Sequence, residues 1–400
     1  MPPSEGGRPA NGGPAGETAP AAEAAAFRAR QSRCAGWLAE SGIHACVTED
    51  FENQRSNTLR WLCGHPMDAL LFTFASGRTV LVPWDVNMAN ARSAVDEIVP
   101  YTEFKRSFRE AVIALLKGGG PGMRRRVEFP FRTSHLRFQE LEADLPDLDI
   151  IVRAHGFEDF VSRARTIKDA FELASIEKAA DITNGLIESI TAMLTARGGA
   201  DGLREVDLAQ LIQREALARG AEGVGFETLA AGPSRSWAIH PFPAFGAGPF
   251  AGPGLSILDF GVRVDGYTSD VTVTVARGKL SPEQQLMVSL VEQGYAAAIE
   301  AMRPGVPARE PAAAVDELFS AAGWRMPHAL GHGIGLDTHE APLLRSQGEN
   351  GETVLQPGMI GTAEPGLYHP AHRGVRWEND VLITKTGNRV LTRAAIIRIP

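Results

Sequence analysis

The 400-residue sequence predicts an α+β protein: a small mixed α/β domain, then a larger one whose helices cover one side of a largely antiparallel sheet. Three observations predict it. Hydrophobic residues make up 44% of the chain, enough for sizeable cores and too many for global disorder. From Phe27 to about Arg165, short helical and strand-like runs alternate. From Ile167 onward, long amphipathic runs are separated by segments rich in Val, Ile and Thr.

Residues 1–26 hold five Gly, five Pro and eight Ala, with no basic start leading into an apolar block. They read as a disordered leader and not as a signal peptide. The amino-terminal α/β domain spans 27–165. Ala35–Ser41 is a short helical run that Gly42 ends. Ala45–Val47, Ala69–Ala75 and Thr79–Pro83 are strands, with Ser76-Gly77 as the turn between the last two, and Ile150–Val152 closes the pattern. The second domain spans 166–400. Lys168–Arg197 carries apolar residues at 176, 179, 182, 186, 190 and 193, the stripe of an amphipathic helix. Glu205–Ala218 repeats it with Leu208, Leu211, Ile212 and Ala216. Ser281-Pro-Glu-Gln284 is a capping box with proline at the first helical position; the helix it opens runs to about Met302, where Pro304-Gly305 stops it.

Forty basic against 48 acidic residues give a net charge of −8, without the basic stripe a nucleic-acid binder needs. No run of about 18 apolar residues is present, so no membrane span is expected. Cys34, Cys46 and Cys63 are odd in number and fit neither a disulfide framework nor a zinc knuckle. The expected compartment is reducing and cytoplasmic.

The chemistry gathers in the second domain. Asp265-Gly266, between two β-rich runs, is a hairpin turn. Pairing outward from it places Asp259 opposite Thr272, with Asp270 on the same face. The two carboxylates are then diagonal neighbours, with Cα atoms roughly 7–8 Å apart. Two like charges on one buried face are costly unless something positive sits there; on an exposed face they would be ordinary solvated residues. Pro327-His-Ala-Leu-Gly-His-Gly-Ile-Gly-Leu-Asp-Thr-His-Glu340 adds three histidines among glycines that argue against a continuous helix. A short strand runs into Glu364 before Pro365-Gly366 turns the chain. In Gly374-Val-Arg-Trp-Glu378, strand alternation puts Arg376 and Glu378 on one face and Trp377 on the other.

Taken together, Leu258-Asp-Phe-Gly261, Gly266-Tyr-Thr-Ser-Asp270, Gly331-His-Gly-Ile-Gly-Leu336 with His339-Glu340, Thr362-Ala-Glu-Pro-Gly366 and Gly374-Val-Arg-Trp-Glu378 resemble the pita-bread metallopeptidases in the family's order. Asn57-Thr-Leu-Arg-Trp-Leu-Cys-Gly64 resembles the amino-terminal domain of the Xaa-Pro aminopeptidase and prolidase (creatinase-like) branch. The resemblance implies a pita-bread catalytic domain with a curved, mainly antiparallel sheet. It also implies five metal ligands, Asp259, Asp270, His332, Glu364 and Glu378. These would hold two divalent ions, manganese ahead of cobalt or zinc, with a bridging hydroxide as nucleophile. Glu364 would shuttle the proton, His339 and His240 would steady the oxyanion and orient the scissile bond, and His328 and Arg376 would line the substrate pocket.

The activity so implied is hydrolysis of short peptides at Xaa-Pro bonds, by a chain expected to form a homodimer and to bind neither nucleic acid nor membrane. The sequence departs from the family pattern in three places: a loop before His240 one residue longer than usual, Ile239 in place of a proline, and Val273 in place of an arginine. The first two alter the pocket wall and weaken the substrate assignment, and a metal-dependent amidohydrolase acting on a small non-peptide C–N substrate is the first alternative. A non-catalytic binding module is the remaining alternative, against which the retention of all five ligands counts.

Overall fold

The computed structural model describes residues 21–400 except 53, 118–123, 197 and 199. It divides into two compact units, one ending at Asp159 and one beginning at Phe160.

The first unit opens on the helix Ala21–Glu40, longer than the run expected from the sequence. The last six residues of the expected leader are therefore helical, while 1–20 lie outside the described residues. The alanines at 21, 22, 24, 25 and 26 favour helix, and Phe27, Cys34 and Leu38 bury the face that follows. A six-stranded mixed sheet follows in the order Glu97–Ile98, Thr79–Pro83, Ala69–Phe74, Ala45–Asp50, Arg125–Phe129, Leu148–Val152. Thr73 pairs with Thr79 across the turn at Ser76-Gly77. The three cysteines are free and buried. Among the described residues no helix is long and apolar enough to cross a membrane.

Among the described residues the second unit has two large apolar cores, besides a small cluster of Leu229, Ala231 and Ile257. Helices Ala170–Thr195 and Glu205–Ala218 close one, through Ile182, Leu186, Ile190, Leu208 and Ile212. Helices Pro282–Ala301 and Arg309–Ala321 close the other, through Met287, Val291, Ala312, Val315 and Phe319. Ser281 and Gln284 form the expected capping box. Under the first core lies a sheet in the order Ile396–Ile399, Val271–Arg277, Gly254–Phe260, Leu229–Ala231, antiparallel except where Ile396–Ile399 runs parallel to its neighbour. A five-stranded antiparallel sheet runs Glu340–Leu344, Gly331–Gly333, Ile360–Ala363, Asn379–Ile383, Asn388–Val390.

The hairpin that sets the register is the one read from the sequence. Asp265 and Gly266 sit at φ 50° and 87°, the paired positive values a type I′ turn demands, and Val264 faces Tyr267. Farther along, Asp259 faces Thr272. Trp377 packs against both cores and stacks on Tyr295 with ring centroids 4.0 Å apart, leaving Arg376 and Glu378 to the opposite face.

Candidate metal centre

The two sheets bring Asp270, His332 and Glu378 together, so that one ligand atom from each lies within 4.8 Å of the others, all three residues buried. His332 comes from the short strand Gly331–Gly333, whose glycines allow close packing; a Cβ at Gly331 would sit 2.0 Å from the Thr362 carbonyl oxygen. The His332 amide donates to Thr362 Oγ1 at 3.2 Å. Its ring Nδ1 donates to the Gly333 carbonyl at 3.1 Å, which turns the lone pair of Nε2 toward the cluster. Nε2 lies 3.5 Å from Glu364 Oε1 and 3.7 Å from Asp270 Oδ2.

Asp259 stands near the end of the strand Gly254–Phe260, opposite Thr272. Arg376 ties these groups into one network. Its Nη2 donates to Asp259 Oδ2, its Nε to Thr272 Oγ1 at 2.9 Å, and its Nη1 to the Tyr368 hydroxyl at 2.9 Å and the Ile239 carbonyl at 3.2 Å. Thr272 in turn donates to Glu378 Oε2 at 2.7 Å. All three guanidinium nitrogens thus donate to protein groups, and the residue is 1% exposed.

Burial sets the electrostatics. It pushes Asp270 and Glu364 well above the usual carboxylate range, with Glu378 adding like-charge repulsion to both. Glu378 is raised to about 7 by burial and then by Asp259, against the pull of Arg376. Asp259 is raised by burial and drawn back by Arg376, and its Oδ1 is buried without a hydrogen-bond partner. His332 is lowered to about 4 by burial and then by His339, which keeps it neutral and able to ligate. Four crowded carboxylates, one oriented imidazole and one orphaned carboxylate oxygen fit divalent cations.

The remaining sequence-predicted residues surround this cluster. The exposed His339 ring lies 4.1 Å from that of His332. His240 is partly open to solvent; partial desolvation of its ring, then the nearby Arg376, lowers it. His328 is half-buried; its Nδ1 donates to the Ala329 carbonyl at 2.8 Å and its Nε2 accepts from Tyr368 at 3.1 Å. Burial, then Arg376, lowers it to about 4.

Sequence reasoning did not single out Asp380, Tyr368 or the anchors of the histidine loop. Asp380 Oδ2 accepts from the Asp270 amide at 3.1 Å. It lies two residues beyond Glu378, a spacing that could have marked it as sharing that face. Glu340 accepts from Lys168 at 2.9 Å and from Arg165, which also reaches Asp337 at 2.8 Å. The exposed Asp337 and the buried Glu340 side chain thus flank His339 along the chain.

The family model described as "Metallopeptidase family M24" matches residues 174–385. The Bacillus subtilis (strain 168) protein YkvY is 30% identical over 377 residues, 91% of this chain and 97% of its own length. The Pyrococcus furiosus Xaa-Pro dipeptidase is 32% identical over 238 residues, 59% of this chain and 66% of its own. The prolidase structure from Pyrococcus horikoshii OT3 superposes with a TM-score of 0.78 at 24% identity, covering 92% of this chain and 99% of that one, a likeness of fold.

Proposed function

Since the chain belongs to metallopeptidase family M24, we propose that it is a dinuclear metal-dependent exopeptidase that cleaves short peptides at Xaa-Pro bonds. The observation that carries this reading is the convergence of Asp270, His332 and Glu378, with Glu364 beside His332 and Asp259 tied to Thr272 and Glu378 through Arg376. These five would hold two divalent ions, their four carboxylates balancing the charge; manganese suits the oxygen-rich set, with cobalt or zinc as substitutes. Bound there, the ions supply the Lewis acidity that generates a nucleophile from water and polarises the scissile carbonyl.

The chain's own residues do the rest. Glu364, whose side chain keeps 16% exposure, takes the proton from the attacking water and delivers it to the proline nitrogen. That delivery matters because a tertiary amide nitrogen leaves only once protonated. His339 and His240 lie on the exposed side, where ring N–H groups orient the peptide and steady the developing oxyanion. Arg376 acts on the substrate side through the groups it holds, the Tyr368 hydroxyl next to His328 and the Ile239 carbonyl next to His240. In this reading residues 27–165 are the prolidase-type amino-terminal domain and 166–400 the catalytic domain.

The test is a substrate panel on manganese-loaded protein: Xaa-Pro dipeptides, longer Xaa-Pro peptides and small non-peptide amides. Turnover of the first two classes is expected, and their ratio separates a dipeptidase from an aminopeptidase. Turnover of small amides alone would replace the peptidase by an amidohydrolase. Failure to take up any divalent cation would end the enzymatic reading.

A further inference from the structure

The loop 232–246 has no regular secondary structure, yet it carries His240 beside the metal centre. Its base is closed by one buried carboxylate. Glu205, at the first turn of the helix Glu205–Ala218, is 1% exposed. Its Oε1 accepts from the Gly232 amide at 2.8 Å and its Oε2 from the Gly246 amide at 2.7 Å, so both ends of the loop hang on the same group. Arg235 donates to Glu205 Oε1 at 3.2 Å and to the Pro243 carbonyl at 2.8 Å, bracing the loop across its middle. At the other end, the Ile239 carbonyl accepts from Arg376.

A carboxylate with two backbone amides, a guanidinium and a helix N-terminus around it has its charge satisfied despite burial. None of these hydrogen bonds goes to a proposed metal ligand. We propose that Glu205 is a positioning residue: by closing the loop at its base it fixes where the His240 ring stands over the metal centre. This rests on the reading of His240 as a substrate-side residue given above.

Glu205→Gln tests it without changing size. A glutamine presents one acceptor oxygen and one NH2 group, so whichever way it turns, one of the two glycine amides faces a donor. Three measurements on the full chain decide the matter. Amide hydrogen exchange across 232–246 should quicken at least tenfold, with the strand Val271–Arg277 unchanged. Metal uptake, followed by calorimetry with manganese, should match the parent protein. For an Xaa-Pro peptide, kcat/KM should fall about tenfold or more, and Glu205→Gln combined with His240→Ala should fall no further than His240→Ala alone.

Unchanged exchange in the loop overturns the proposal, and so does a loss that multiplies with that of His240→Ala. If the parent protein cleaves no peptide, the functional reading falls and hydrogen exchange alone decides the clamp. If Glu205→Gln does not fold, Arg235→Gln replaces it at a side chain that is 25% exposed. The same pattern at smaller size is then expected, and loop exchange equal to the parent's overturns the proposal.

Discussion

Raising the pH should weaken the metal-free protein and widen the stabilisation that metal gives it. The perturbation is a change from pH 5 to pH 8, with and without a saturating divalent cation. Glu378 has a folded pKa of about 7 against an ordinary value of 4.5. Below the ordinary value the group is protonated in both states. As pH rises past it, the unfolded chain ionises while the folded one keeps its proton, so stability falls until the folded pKa is passed. A shift from 4.5 to about 7 corresponds to roughly 3 kcal/mol. For a unit of this size that is roughly 6–12 °C in Tm. Asp270 and Glu364, raised further by the same burial, add to the loss at higher pH.

Scanning calorimetry of chelated and manganese-loaded protein at pH 5, 6, 7 and 8 reads the effect as the gap between the two Tm values. Titration of metal at pH 6 in buffers of different ionisation enthalpy should show more than one proton released per chain. A Tm gap that stays constant or narrows from pH 5 to pH 8, with no proton release, would refute the account of the site as a set of carboxylates waiting for positive charge.

Arg376→Gln should lower the Tm of the metal-free protein by roughly 6–20 °C, because it breaks a buried pair with Asp259, a loss of about 3–5 kcal/mol; metal should recover part of it, and calorimetry checks both. Glu340→Gln should cost a similar amount by leaving Lys168 and Arg165 buried without their shared carboxylate. Adding Lys168→Met should regain part of that loss, and a double variant less stable than the single would contradict it. Gly374→Ala would place a Cβ 1.9 Å from the Ser236 carbonyl oxygen, forcing the strand that carries Arg376 away from the loop that carries His240. A loss of about 1–3 kcal/mol is expected in urea titration, and a Tm equal to the parent's would show that the two segments are not in contact.

The roles of the site residues came only from the family resemblance, but part of the local geometry was readable because short-range rules govern it. Asp265-Gly266 dictates a two-residue turn, and the pairing that follows puts Asp259 opposite Thr272 without any tertiary knowledge. Strand alternation likewise turned Trp377 away from Arg376 and Glu378. What stayed hidden depends on distance along the chain. Nothing near Glu205 shows that its carboxylate reaches Gly232 and Gly246, and nothing near Lys168 announces Glu340, because both contacts are made only after helices dock on sheets. The beginning of the helix at Ala21 was obscured for another reason: glycine and proline before it biased the composition of the whole stretch, although the alanines favour helix and Phe27 anchors it.

The stacking of Trp377 on Tyr295 gives the molecule an optical reporter. Trp377 falls between Arg376 and Glu378 along the chain, its indole turned to the opposite, apolar face, where Nε1 donates to the Ala394 carbonyl at 2.6 Å. It is one of six tryptophans, and Trp84, at 60% exposure, marks the solvated extreme. Loosening of either apolar layer would shift its emission before the sheets separate, so fluorescence from this ring would announce a slackening of the strands behind it while the backbone still looked folded.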